Sequence, residues 1–128
     1  MRKVMLFCFI VCTYSLVSCS KQEPLAQPQT TTLSFSDFFA SYQNNSVHVR
    51  FTAEHESKVA YYKIYSGTDG HQLCVIGQLP ATQNKGPHTY TFLDKYPKGN
   101  TVYYMIGYVS RDSSLKFYGD MAEAGPQQ

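Results

Sequence analysis

The chain has 128 residues, a formal net charge of +2 and no tryptophan. Its length fits one domain and no more. Arg2 and Lys3 account for the excess positive charge, so the rest of the chain carries equal numbers of basic and acidic residues. This balance argues against nucleic acid as a partner, because phosphate binding requires a basic surface.

The N-terminal segment has the pattern of an export signal that ends in a lipid attachment site. Basic residues at positions 2 and 3 precede an apolar run over 4–17, which is short for a membrane span. The tetrapeptide LVSC at 16–19 then resembles a bacterial lipobox. We therefore expect a signal peptide over 1–18 and attachment to the membrane through a lipid such as palmitate on Cys19. An ordinary cleaved signal, with Cys19 incidental, is the alternative.

Two further segments are predicted to lack regular structure. Residues 20–32 (SKQEPLAQPQTTT) are polar, contain two prolines and show no periodicity, so the range 19–32 is interpreted as a lipidated cysteine with a disordered tether. Residues 121–128 (MAEAGPQQ) are interpreted as a flexible tail. Ser20 is not the aspartate that favours inner-membrane retention in some bacteria. The outer membrane is therefore the expected location, and its periplasmic and surface sides both remain open.

Cysteine usage indicates a domain without an internal disulfide. Cys8 and Cys12 leave with the signal and Cys19 carries the lipid, so Cys74 remains alone. The fold must then depend on its apolar core. Cys74 is interpreted as a small apolar filler, with a reactive thiol or a link between two chains as alternatives.

Seven short segments between residues 33 and 120 alternate between apolar and polar side chains, as strands with one buried face do. They cover residues 33–42, 47–51, 61–65, 73–79, 89–93, 102–109 and 114–118. The adjacent Phe38 and Phe39 leave the register of the first segment ambiguous. No segment has helical spacing. The pattern predicts an all-β, seven-stranded antiparallel sandwich over 33–120, with Phe51 and Ile64 in its core.

The chain from 47 to 118 resembles the fibronectin type III-like domains of exported Bacteroidota proteins. The motifs that carry this resemblance are VHVRFT (47–52), Glu56, YKIYSGTDG (62–70), IG (76–77), YTFLD (90–94) and YYMI (103–106). Phe51 stands where the family has tryptophan, and Met105 where it has arginine. The family is a class of scaffolds without a catalytic motif, so the resemblance implies a fold and no activity.

The resemblance also implies a tyrosine corner near the start of the sixth strand. Tyr104 is the better candidate, because Ile106 two positions later is expected in the core. Its hydroxyl should then bond to upstream backbone near 96–99, and Tyr103 should face outward.

The sequence contains no convincing catalytic or metal-binding motif. Glu54-His55-Glu56 has ligand-type side chains, but adjacent residues on a loop rarely converge on one ion. No G-x-S-x-G nucleophile elbow and no glycine-rich phosphate loop occur. We therefore expect no enzyme activity, no cofactor and no metal.

Tyrosines are the feature of the sequence that points to a binding surface, since all but one of the eleven follow Cys19. Alternation on the third and sixth strands, which are neighbours in this topology, places a group of side chains on one outward face. These residues form the predicted binding face: Tyr61, Lys63, Tyr65, Tyr103 and Met105. Gly107 on the same face is expected to leave room for close approach. The alternative is ordinary cross-strand pairing of tyrosines.

The resulting functional hypothesis is a lipid-anchored, non-catalytic protein-interaction or adhesion module of the cell envelope. One alternative is a carbohydrate-binding accessory that uses the tyrosine face, and another is a small enzyme or inhibitor. A flat apolar patch would favour an envelope protein as partner, whereas a concave aromatic row would favour a glycan.

Overall fold

Strands make up most of the described chain. The computed structural model describes residues 32–126, so the predicted signal over 1–18 and the predicted tether up to residue 31 lie outside the described residues. The strands are β1 Ser34–Gln43, β2 Ser46–Glu54, β3 Val59–Gly67, β4 Cys74–Pro80, β5 His88–Asp94, β6 Val102–Ser110 and β7 Leu115–Ala124. A single 3₁₀ turn, Glu56–Lys58, connects β2 to β3. Residues 32–126 include no helix that is long and apolar enough to cross a membrane.

Two antiparallel sheets form the predicted seven-stranded sandwich. The smaller sheet has the strand order β1-β2-β5, and the larger has the order β4-β3-β6-β7. Every paired strand runs antiparallel to its neighbour. This division of strands is that of a fibronectin type III-like sandwich, so the predicted fold class is confirmed. As predicted, β3 lies beside β6, and β7 lies on the other side of β6.

The core lies between the sheets and contains an aromatic cluster. Phe51 and Ile64 are both completely buried. The Phe51 ring stacks on Tyr90 with centroids 5.0 Å apart and meets Tyr62 edge-on at 5.1 Å. Offset and edge-on pairs of this kind add stability beyond the burial of area alone. Phe51 therefore connects β2 to both β3 and β5 through ring contacts.

A bulge in β1 explains why two adjacent phenylalanines could not be assigned to one face. The pairing of β1 with β2 shifts between Ser36 and Phe39, and Asp37 has a φ of 52°. Phe38 then packs against the core, where its ring lies 5.9 Å from Tyr118. Phe39 stays 44% exposed with the Arg50 guanidinium over its ring. The extra residue in the bulge lets both rings occupy suitable environments.

Gly77 brings the two sheets close together at the β4 edge. A Cβ at this position would lie 2.1 Å from Cε2 of Phe92, a ring of the opposite sheet. Phe92 packs against the core cluster, as its alternation predicts. The missing side chain at Gly77 therefore provides the space that the Phe92 ring occupies.

The C-terminal boundary of the domain differs from the prediction. Residues 121–124, predicted as part of a flexible tail, continue β7. Ala122 pairs with Tyr104 and Ala124 pairs with Val102, and both alanines are buried. The tail prediction is therefore wrong for 121–124, because two small side chains complete the core beside β6.

Candidate functional site

The residues of the predicted binding face lie on the outward side of the four-stranded sheet. Lys63 stands opposite Gly107, and Tyr65 stands opposite Met105. Tyr61 and Tyr103 occupy the same side of their strands, by alternation with the buried Tyr62 and Tyr104. All five predicted residues are half-buried. The structure thus places the five residues on one face of the sheet. Much of the solvent-accessible surface of that face comes from neighbouring side chains that are more exposed.

Those neighbours are apolar side chains on the edge strands β4 and β7. Leu115 is 42% exposed, Phe117 48%, Val75 50% and Met121 50%. Register places Val75 opposite Tyr65, Phe117 opposite Gly107 and Met121 opposite Met105. Together with Tyr65 and Met105, these four side chains are called the apolar face below. Alternation in β7 was the sequence signal that could have identified Leu115 and Phe117.

Gly107 does not leave a gap on this face. A Cβ there would lie 2.9 Å from Cε2 of Tyr65, 3.3 Å from Cδ1 of Leu115 and 3.4 Å from Cε1 of Phe117. The Tyr65 and Phe117 rings meet edge-on at 5.3 Å. The expected room for close approach is therefore absent, because neighbouring side chains cover the glycine. The covered glycine makes this part of the face continuous.

A buried carboxylate between the sheets is the most polar feature of the interior. Glu56 has no exposed surface and accepts hydrogen bonds from the hydroxyls of Tyr62 (2.6 Å), Tyr90 (2.5 Å) and Thr82 (2.7 Å). Burial, and then the hydrogen bond to Glu56, raises the pKa of both Tyr62 and Tyr90. A phenol is protonated at neutral pH even at its ordinary pKa of about 10, so the raised pKa extends the donation by both groups to more alkaline solution.

Glu56 also connects the β4–β5 segment to the 3₁₀ turn. Its backbone N–H donates to the carbonyl of Asn84, and the N–H of His55 donates to the carbonyl of Lys85, each over 3.1 Å. His55 has a φ of 62°, a left-handed conformation at the point where the chain leaves β2.

Among residues 32–126, no three or more His, Cys, Asp or Glu side chains are grouped to hold a metal ion. Within the Glu54-His55-Glu56 motif, the structure shows a structural role for Glu56, whose side chain and backbone both form hydrogen bonds inside the fold.

Tyr104 is completely buried, but its partner differs from the predicted one. Its hydroxyl donates to Oδ2 of Asp94 over 2.8 Å, rather than to backbone near 96–99. Asp94 ends β5, and its Oδ1 accepts the backbone N–H of Tyr96 over 3.2 Å. The predicted backbone acceptor is therefore wrong, because the carboxylate at the strand end lies within reach of the phenol. Burial, and then the Asp94 acceptor, raises the pKa of Tyr104.

Asp94 lines a cleft of about 220 Å³ at one end of the sandwich, where the β3–β4 and β5–β6 connections meet. This end cleft also includes Cys74, Tyr96 and Lys98. Cys74 is a free, exposed thiol, so its interpretation as an apolar filler is wrong. It opens β4, an edge strand, and lies outside the core.

A second cleft lies at the β6–β7 turn. It is lined by Lys58, Arg111 and Lys116. The Arg111 guanidinium donates to the side-chain oxygen of Gln83, and Asp112 accepts bonds from the N–H and hydroxyl of Ser114. These last two bonds, above all the one from the hydroxyl, lower the pKa of Asp112. Arg111 and Asp112 thus already have partners within the chain.

Comparisons with known proteins extend the fold assignment. The sequence matches no protein-family model and no curated protein. Among solved structures, a DUF3823 family protein from Bacteroides ovatus aligns with a TM-score of 0.54 and 16% identity, over 74% of this chain and 56% of that one. Catalytically inactive OgpA from Akkermansia muciniphila, in complex with an O-glycopeptide substrate, aligns with a TM-score of 0.54 and 9% identity, over 73% of this chain and 28% of that one.

A β-1,2-glucanase from Parabacteroides distasonis aligns with a TM-score of 0.50 and 17% identity, over 76% of this chain and 13% of the enzyme. The chain thus spans little more than half of the DUF3823 protein and a smaller part of the two others. At such identities the likeness shows the fold alone. These alignments support a fibronectin type III or immunoglobulin-like β-sandwich.

Proposed function

We propose that the chain is a lipid-anchored interaction module of the cell envelope, which binds a protein partner through the apolar face. The observation that carries this proposal is the group of four apolar side chains, each between 42% and 50% exposed, on one side of one sheet. Contiguous apolar patches on a folded surface often mark interaction sites. Phenylalanine, tyrosine and methionine are also enriched where protein surfaces meet.

The composition of the apolar face favours a protein over a glycan. Its most exposed groups are the aliphatic, thioether and phenyl side chains of Val75, Leu115, Met121 and Phe117. A sugar needs hydrogen-bonding groups beside an aromatic ring, whereas the Tyr65 ring lies against Phe117 and over Gly107. A continuous apolar surface suits the buried core of a protein interface.

The fold comparisons support an accessory role. Similar sandwiches occur within longer proteins, among them a β-1,2-glucanase and a protein bound to an O-glycopeptide. In this proposal the chain itself has no catalytic activity. The carboxylates of Glu56 and Asp94 both accept hydrogen bonds from buried tyrosines. Both carboxylates therefore have a structural role.

Membrane attachment in this proposal depends on Cys19. Replacing Cys19 by alanine should abolish acylation and release the protein from the membrane fraction, because the LVSC motif would lose the lipidated side chain. Labelled palmitate incorporation and fractionation of envelopes measure both effects. Cys74→Ala is the matched control, since Cys74 is a free cysteine within the domain. Continued labelling of the Cys19 variant would contradict the anchor, whereas label lost only with Cys74 would place the lipid there.

The apolar face is tested by making its exposed side chains polar. The face variant combines Val75→Thr, Phe117→Thr and Met121→Thr. The control combines Phe39→Thr and Leu93→Thr, which replace side chains 44% and 40% exposed on strands of the other sheet. Exposed substitutions usually change unfolding free energy by about 0.5 kcal/mol or less each. Both variants should therefore fold.

Only the face variant should lose its partner. In pull-downs from envelope extract with the lipid-free mature chain, we expect at least about tenfold lower retention of a defined protein, since an interface anchor is worth about 1–2 kcal/mol or more. A cross-linking side chain at position 117 should capture that protein, and one at position 93 should not. Equal retention by both variants would mean that the face is ordinary strand packing. Glycan-array binding that only the face variant loses would favour the carbohydrate alternative.

A further inference from the structure

The end cleft has the dimensions of a site for one small ring. Its volume is about 220 Å³, below the roughly 300–1,000 Å³ of pockets that hold drug-sized ligands. The β3–β4 connection forms one wall and the β5–β6 connection another. Gly67 permits this narrow shape, because a Cβ there would lie 2.3 Å from the carbonyl oxygen of Gln72. The cleft is separate from the apolar face in composition and in the residues that form it.

Asp94 presents a carboxylate to the cleft that is held in place from the core. The buried hydroxyl of Tyr104 donates to Oδ2, and the N–H of Tyr96 donates to Oδ1. A carboxylate has about four acceptor positions, so two remain for a ligand. Because the core already orients this group, a ligand that donates to it has little ordering to impose.

The rest of the lining combines an aromatic ring, polar groups and an apolar wall. Tyr96 is 86% exposed, the highest value among the large apolar and aromatic side chains on the described surface. Thr68 and Gln72 contribute a hydroxyl and an amide, while Ile76 and Val102 are apolar. Lys98 carries a charge opposite to that of Asp94, so this pair gives the lining no net charge.

These features together match a neutral ring with hydroxyl groups around its edge and C–H bonds on its faces. The hydroxyl groups require acceptors and donors, which Asp94 and Gln72 provide. The C–H face requires an exposed aromatic ring, which Tyr96 provides. We propose that the end cleft binds one neutral sugar residue, with Asp94 accepting its hydroxyl hydrogens and Tyr96 covering its apolar face.

This site is independent of the apolar face, and the experiment keeps the two apart. The lipid-free mature chain, isotopically labelled, is titrated to millimolar concentrations with the methyl glycosides of glucose, galactose, mannose and N-acetylglucosamine, because a single sugar ring is expected to bind weakly. At least one of them should move the amide signals of residues 66–74 and 94–98 and leave those of Leu115 and Phe117 in place.

Substitutions in the cleft test whether its lining residues bind the glycoside. Tyr96→Ala should weaken the binding of that glycoside at least fivefold and leave the unfolding temperature unchanged, since the ring is exposed. Asp94→Asn should weaken it similarly, with the fold checked by the same amide spectrum. Lys95→Ala, an exposed neighbour outside the cleft lining, should bind as the unmodified chain does.

Three results would overturn the sugar site. One is the absence of amide shifts at 66–74 and 94–98 with every glycoside. Another is unchanged affinity in Tyr96→Ala. A third is a set of shifts confined to the apolar face, which would instead support the carbohydrate alternative to the proposed function.

Discussion

Replacing Glu56 by alanine should lower the free energy of unfolding by about 2–6 kcal/mol, because two buried hydroxyls lose their acceptor at about 1–3 kcal/mol each. The hydroxyls of Tyr62 and Tyr90 would lose their carboxylate acceptor inside the core. The Tyr62 hydroxyl would thereby lose the acceptor of its hydrogen bond, whereas the Tyr90 hydroxyl would still accept the backbone N–H of Thr82 over 2.8 Å. Urea denaturation measures the loss as a lower midpoint at an unchanged slope.

Glu56→Gln is the matched control. The amide oxygen can still accept from Tyr62 and Tyr90, and the amide nitrogen can donate to the Thr82 hydroxyl, so the side-chain shape and most bonds persist. We expect a loss of about 1–2 kcal/mol, because hydrogen bonds to a charged acceptor are stronger than those to a neutral one. Equal losses in the two variants would contradict the account of Glu56 as an acceptor.

Amide hydrogen exchange measures the local effect of the same two variants, Glu56→Ala and Glu56→Gln. The N–H groups of His55 and Glu56 bond to carbonyls of the β4–β5 segment. Glu56→Ala removes the side-chain bond from Thr82, which also holds this segment. The amides of residues 55 and 56 should therefore exchange faster than those in the middle of β3 and β6. In Glu56→Gln they should remain protected.

Replacing Phe51 by alanine should cost about 3–5 kcal/mol, because a fully buried ring leaves a cavity that its neighbours cannot fill. The stacked contact with Tyr90 and the edge-on contact with Tyr62 would both be lost. Such aromatic pairs add about 0.5–1.5 kcal/mol beyond burial. Thermal and denaturant unfolding should both show the effect.

Phe39→Ala makes the same chemical change on the outside of the same sheet. Phe39 is 44% exposed, and the Arg50 guanidinium lies 5.8 Å from the centre of its ring. We expect a loss below about 1 kcal/mol, the usual range for surface positions. A comparable loss in both variants would mean that Phe51 is not a central core residue.

Sequence alternation was a reliable guide to the strands and to their inner faces. Successive side chains of a strand point to opposite sides, so a period of two in apolarity reports which residues are buried. Val47, Val49 and Phe51 illustrate this in β2, since all three are completely buried. The same reasoning placed Ile64 and Tyr104 correctly, because the pairing of β3 with β6 stays in register over both residues.

The limits of that reasoning appear where the strand is irregular or the side chain small. A bulge at Asp37 separates the environments of Phe38 and Phe39, and no alternating pattern reports a bulge of this kind. Ala122 and Ala124 have little apolar character of their own, yet they fill the space beside Val102 and Tyr104. Their burial depends on the size of the space that the neighbouring strand leaves.

The sequence by itself thus determined the strand positions, the inward faces and the sandwich class, because each depends on a local period in the chain. Only the tertiary structure decided how the polar interior and the surfaces are built. Glu56 meets Thr82 and Tyr90, which lie 26 and 34 residues away, and no local pattern reports such contacts. Likewise Gly107 is covered by side chains of β3 and β7, since exposure on a sheet depends on the strands on either side.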